Sequence, residues 1–125
     1  MNTVTLAFLG DAFYELSVRR RLAEGGVAQA ADRLHLAAVR YVRAASQAEA
    51  LRGLVAQGAL TGEELEVVRK ARNRKPKSVP KNSDPLEYKF ATAFEALLGY
   101  HYIEGRTDRA EALAGLAMGI VDRDK

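Results

Sequence analysis

Apolar side chains recur at three- and four-residue spacing along almost the whole of this 125-residue chain, and no stretch alternates apolar with polar residues. A period that persistent predicts an all-α fold. Local signals divide it into helices. Residues 3–24 carry apolar positions at helical spacing and stop at Gly25-Gly26. Residues 29–44 repeat the pattern through Ala30, Leu34, Ala37, Ala38, Tyr41 and Val42. Residues 46–57 form a further short helix or continue the second, closed by Gly58. Thr61 with Glu64 is a capping box opening a helix to about Asn73. Pro76 and Pro80 then break the period and predict an exposed loop over residues 75–83. Asp84-Pro85 with Glu87 supplies an N-cap, a proline at the first helical position and a capping glutamate. The helix they open is predicted to reach Glu104 and end at Gly105, and Thr107 is predicted to cap a last one to about Val121.

The length suits one hydrophobic core, so residues 1–125 are expected to form a single domain. A hydrophobic content of 48% with 28% charged residues fits a globular chain and argues against disorder. Cysteine is absent, which excludes disulfides, thiolate zinc sites and a cysteine nucleophile. His35 and His101 are too few and too far apart for a clear histidine metal cluster. The longest apolar run, residues 112–121, is about half a membrane span, reads as a core helix and predicts no membrane partner. No basic stretch followed by a hydrophobic run opens the chain, and the expected location is the cytoplasm.

Two carboxylates sit in segments that otherwise read as buried. Asp11 lies in Leu6-Ala7-Phe8-Leu9-Gly10-Asp11-Ala12-Phe13, and Glu95 in Phe90-Ala91-Thr92-Ala93-Phe94-Glu95-Ala96-Leu97-Leu98-Gly99. An ionised carboxylate among apolar neighbours requires a cation, a hydrogen-bond donor or a metal. Small residues beside each acid, Ala7 with Gly10 and Ala91 with Gly99, would let two helices approach closely and bring the acids together. A hard cation such as Mg²⁺ takes oxygen ligands and keeps several waters, so two carboxylates and a phosphate suffice. Spacing alone leaves equal room for structural acids paired with arginines. Glu15 is expected to pair with Arg19 one turn on, and His35 to be a hydrogen-bonded structural residue. Tyr100 and Tyr102 read as core or subunit-contact aromatics, Phe13 and Tyr14 as further interface candidates, and Tyr88 as a residue near substrate.

Charge is unevenly placed. The net charge of +3 hides a segment, residues 69–81, with seven basic residues and no acid, which leaves twelve basic against sixteen acidic residues elsewhere. Positive charge concentrated in that way makes a phosphate-binding patch. The competing reading is a solvated surface loop.

At the two acid motifs the chain resembles the ribonuclease III family, whose signature helix reads like Phe8-Leu9-Gly10-Asp11-Ala12 and whose second motif matches Phe94-Glu95-Ala96-Leu97-Leu98-Gly99. More narrowly it resembles Mini-ribonuclease III, the bacterial branch without an appended RNA-binding domain. That resemblance extends through Leu34-His35, Ser46-Gln47-Ala48, Arg72-Asn73, Pro80-Lys81-Asn82 and Thr92 to Tyr100, and it spans essentially the full length. It implies an α-helical homodimer that cleaves double-stranded RNA with Mg²⁺, leaving 5′-phosphate and 3′-hydroxyl ends, in maturation of the large-subunit (23S) ribosomal RNA precursor. A ribosomal protein bound to the substrate is a possible partner under the same resemblance. Carried over by position, Asp11 and Glu95 become the catalytic, metal-binding pair, and Arg72, Asn73, Arg74, Lys75, Lys77 and Lys81 part of the RNA-binding surface.

One departure stands out. Full-length ribonuclease III carries two more acids, where this chain has Ala7 and Thr92. The smaller acid set is shared with Mini-ribonuclease III and points to one firmly held Mg²⁺. A two-fold dimer would present one site to each strand of an antiparallel duplex. Recognition of A-form RNA rests mainly on shape and charge. Two rivals remain: a catalytically inactive ribonuclease III-like RNA-binding, ribosome-associated protein, and a helical DNA-binding regulator that leaves the acids without a purpose.

Overall fold

A computed structural model describes residues 1–25, 30–75 and 78–123, and all regular structure among them is helical. The order is α1 (Thr3–Glu24), α2 (Ala31–Val42), α3 (Ala44–Ala56), α4 (Gly62–Asn73), α5 (Pro85–Ile103) and α6 (Thr107–Arg123). Gly26 and the start expected for the second helix at residue 29 lie outside the described residues.

Side-chain caps open three of the six helices. Asn2 accepts from the Thr5 N–H at 2.9 Å and opens α1. Thr61 and Glu64 form the reciprocal capping box expected of α4. Asp84 accepts from the Leu86 N–H at 3.0 Å, with Pro85 in the first turn of α5. The chain between α2 and α3 is a break and not a continuation. Arg43 sits there in extended backbone, ending one helix and starting the next. The Ser46 hydroxyl donates to the Arg40 carbonyl at 2.6 Å and the Gln47 amide to the Val42 carbonyl at 2.8 Å, so side chains of α3 satisfy carbonyls left open at the end of α2.

Helix α5 runs through the middle of the bundle, against α1, α3, α4 and α6. Its buried residues Ala91, Ala93, Phe94, Ala96, Leu97, Leu98, Gly99 and His101 face several neighbours, as an almost wholly apolar helix must. Phe94 meets Tyr14 of α1 edge-on at 4.9 Å between ring centroids. From α3 and α6, Leu51, Leu54 and Leu113 complete that core. The apolar run 112–121 is part of the core helix α6, as expected, and no described helix is long and apolar enough to cross a membrane.

A buried polar cluster fixes α4 and α6 to α5. Glu64, 2% exposed, receives two hydrogen bonds from Arg109 at 2.8 Å, one from the Thr61 N–H at 2.8 Å, and meets His101 Nε2 at 2.5 Å. Arg106 donates to His101 Nδ1 at 3.0 Å, which leaves the ring proton on Nε2, facing Glu64. The Arg109 guanidinium above all holds the Glu64 carboxyl down at about 2, outweighing its burial. Tyr100, expected in the core or at a subunit contact, instead lies half-buried and donates its hydroxyl to Glu63 at the edge of this cluster.

Helix α1 departs from its uniformly apolar appearance. Its buried line is Ala7, Gly10, Tyr14, Val18 and Leu22, while Val4, Phe8, Ala12 and Leu16 form an exposed row on another side. Tyr14 is fully enclosed and is core, which removes it from the candidate subunit contacts. Phe13 is partly buried, 5.9 Å from the exposed ring of Tyr102. His35 stands exposed on α2, not enclosed as a structural histidine would be. Glu15 pairs with Arg19 as its spacing predicts, at 3.1 Å.

Candidate active site

Two glycines bring the acids together. A Cβ on Gly10 would lie 1.7 Å from the Glu95 carbonyl oxygen, and one on Gly99 would lie 1.9 Å from the Leu6 carbonyl oxygen. The facing backbone fills both positions, so α1 and α5 cross backbone to backbone at a contact only glycine permits. Asp11 follows Gly10, and Glu95 is the residue whose carbonyl lies against it. The close helix approach expected from the small residues is present, and it places Asp11, exposed, near Glu95, half-buried.

The electrostatics follow from that placement. Burial, and then the negative charge of Asp11, push the Glu95 carboxyl up to about 8, while the Gln47 amide facing it from α3 pulls the other way. Burial and the Asp11 charge both favour the protonated form of Glu95 while no cation is bound beside it. No third acid or histidine joins the pair among the described residues. Ala7 and Thr92, where further acids were considered, are a buried methyl and a half-buried hydroxyl residue. This donor set of hard oxygens in an acid-rich, half-buried position fits a divalent cation that keeps most of its waters. The charge acting on Glu95 comes from Asp11 and not from an arginine.

The basic segment divides into two parts. Arg69 is bound by Glu66 through two contacts of 2.9 and 2.6 Å, so its charge is locally matched. Arg72, Asn73, Lys75 and Lys81 are exposed and Arg74 is half-buried; Lys77 and Pro76 lie outside the described residues. Lys75 and residues 78–83 are non-helical, as the prolines predict, with the Ser83 N–H closing a turn on the Pro80 carbonyl at 3.1 Å. The guanidiniums of Arg72 and Arg52 each stand 4.7 Å from the Phe90 ring centroid. Phe90 lies on α5, five residues before Glu95.

The ribonuclease III domain model matches residues 4–106, more than three quarters of the chain. The chain belongs to the ribonuclease III family. Among its relatives, Mini-ribonuclease 3 of Symbiobacterium thermophilum is 46% identical over 96% of this chain and 90% of its own length. Mini-ribonuclease 3 of Brevibacillus brevis is 45% identical over 97% and 88% respectively. A crystal structure of a Fusobacterium nucleatum protein superposes with a TM-score of 0.81 at 26% identity, covering 94% of this chain and 92% of that one. Membership therefore extends to the Mini-ribonuclease 3 branch, and the chain is an endoribonuclease by class.

Within this ribonuclease III domain, two participants escaped the sequence reading. Arg52 falls outside the basic run and reaches Phe90 only because α3 packs on α5. Gln47 left a signal. It shares the stripe of Ala50, Leu51 and Leu54, which makes it a polar residue at a core position of α3.

Proposed function

We propose that this chain is a Mg²⁺-dependent endoribonuclease that cleaves double-stranded RNA, with Asp11 and Glu95 as the metal-holding catalytic pair. The single observation that carries the reading is the Gly10–Gly99 crossing that sets Asp11 beside Glu95, with Glu95 raised by burial and by the Asp11 charge. When bound there, a divalent cation supplies Lewis acidity that neutralises charge on the attacked phosphate and acidifies water. The protein's own share is to hold two oxygens at the mouth of a rigid crossing. Arg52, Arg72, Asn73, Arg74, Lys75, Lys77 and Lys81 are assigned to the phosphates of the duplex, which presents its charge and 2′-hydroxyls across a shallow minor groove.

The exposed row Val4, Phe8, Ala12 and Leu16 runs beside Asp11, and Phe8 is 77% exposed. An apolar row of that kind on a charged chain supports a homodimer through α1, with a site for each strand. Light scattering that returned a monomer mass for the active enzyme would remove this arrangement. The substrate we assign is the large-subunit (23S) ribosomal RNA precursor in the cytoplasm, with 5′-phosphate and 3′-hydroxyl products and a ribosomal protein as possible helper. Cleavage of such a precursor stem, with end mapping on both strands, is its test.

The deciding experiment replaces Asp11 by Asn. Asp11 is exposed, so Asp11→Asn keeps the melting temperature and duplex affinity while cleavage falls by at least about a hundredfold. Wild-type turnover by that variant, or cleavage that survives EDTA, would sink the assignment, whereas a wild type that binds duplex RNA and leaves it uncut with Mg²⁺ would return the chain to a binding role.

A further inference from the structure

We propose that Phe90 is a positioning residue for duplex RNA: its ring holds the guanidiniums of Arg52 and Arg72 together as a clamp on the phosphates of one strand. The inference rests on the duplex-RNA reading proposed above and gives two of its cations a fixed geometry.

Phe90 is half-buried on α5 and packs against the core, so its ring is anchored. Arg52 reaches it from α3 and Arg72 from the last turn of α4, each guanidinium 4.7 Å from the ring centroid. The two guanidinium carbons are therefore no more than twice that distance apart. Both residues are exposed. A ring face attracts a cation through its quadrupole and takes up none of the fork's in-plane N–H donors. Among the described residues neither arginine pairs with a carboxylate, whereas Arg19, Arg40, Arg69 and Arg109 each meet an acid. Two forks of N–H donors thus stand at one ring without a protein acceptor.

For stability alone the arrangement is a poor one. Two like charges at one ring repel, and no paired carboxylate offsets them. A single arginine would cover the ring without that repulsion. A phosphate reverses the balance. It is negative, it offers oxygens to both forks, and the planar guanidinium is the side-chain donor that matches it. The ring removes rotamer freedom beforehand, because a long side chain laid on a fixed aromatic face has less to lose on binding than one free in solvent. Arg72 belongs to the basic segment and Arg52 does not, so the clamp ties α3 to α4 at one stretch of phosphate backbone.

The test measures binding of a short duplex RNA in EDTA, at several salt concentrations. Arg52→Gln is expected to lower the slope of log affinity against log salt by about one unit. Phe90→Leu keeps both charges, so its slope stays while its affinity falls about 5–10-fold. Phe90→Tyr keeps the ring and binds as wild type does. Added to Arg52→Gln with Arg72→Gln, Phe90→Leu has no further effect, a result that a purely structural residue does not give. Wild-type affinity in Phe90→Leu, a Phe90→Tyr as weak as Phe90→Leu, an equal loss with and without the arginines, or a wild-type slope in Arg52→Gln overturns the proposal. Should Phe90→Leu not fold, Phe90→Met takes its place with the same expected and overturning results. Lys75→Gln with Lys81→Gln separates this inference from the reading beneath it. A slope lowered there and unchanged in the arginine variants sinks the clamp alone, whereas wild-type slopes in all of them sink the duplex-RNA contact itself.

Discussion

A carboxylic acid held at about 8, as Glu95 is, gives the metal-free protein a pH dependence of definite sign. Its native pKa lies above that of the unfolded chain, so between roughly pH 4.5 and 8 the folded state binds more protons than the unfolded one. Stability is therefore lost as pH rises through that window, and the loss is complete above the folded value. In EDTA, the melting temperature of wild type relative to Glu95→Gln is expected to fall between pH 5 and pH 8.5. Parallel curves for the two proteins would show that Glu95 is not perturbed. The acid itself was legible in the chain as a charge in an apolar helix. Its neighbours Asp11 and Gln47 come from helices more than forty residues away, and their effect on it needs three helices in contact.

At the scale of helices, the starts of α4 and α5 were legible because caps are local chemistry, whereas the Asn2 cap of α1 went unread. Asn2, Thr61 with Glu64, and Asp84 with Pro85 act within three residues of themselves. The break at Arg43 was left ambiguous by the sequence, because it depends on Ser46 and Gln47 reaching back to α2 carbonyls. The crossing of α1 and α5 carries a sharp prediction. In Gly99→Ala, the new methyl would meet the Leu6 carbonyl at 1.9 Å, and backbone cannot step aside as a side chain does. A cost of about 3 kcal/mol or more is expected, lowering the melting temperature by roughly 10 °C. It should also part the two carboxylates, so Mn²⁺ affinity drops even well below the transition. A wild-type melting curve for Gly99→Ala would refute the tight crossing.

At the scale of the molecule, affinity for duplex RNA is expected to come from charge spread over α3, α4 and the loop that follows. Replacing Arg72, Lys75 and Lys81 together by Gln should flatten the dependence of log affinity on log salt by about two units, while metal affinity stays at the wild-type level. An unchanged slope, read from binding isotherms at several salt concentrations, would take these residues off the RNA. By itself the sequence determined the helical class, the caps of α4 and α5, the two acids and the basic segment, because periodicity, capping and charge are properties of neighbouring residues; Thr107, expected as a cap, is instead the first residue of α6. Only the tertiary structure decided that Tyr14 is core while Phe8 is exposed, that Glu64 belongs to a buried cluster with His101 and Arg109, and that Gln47 faces Glu95. Each of those depends on which face of one helix another covers, and packing across the bundle settles that where local spacing has no access.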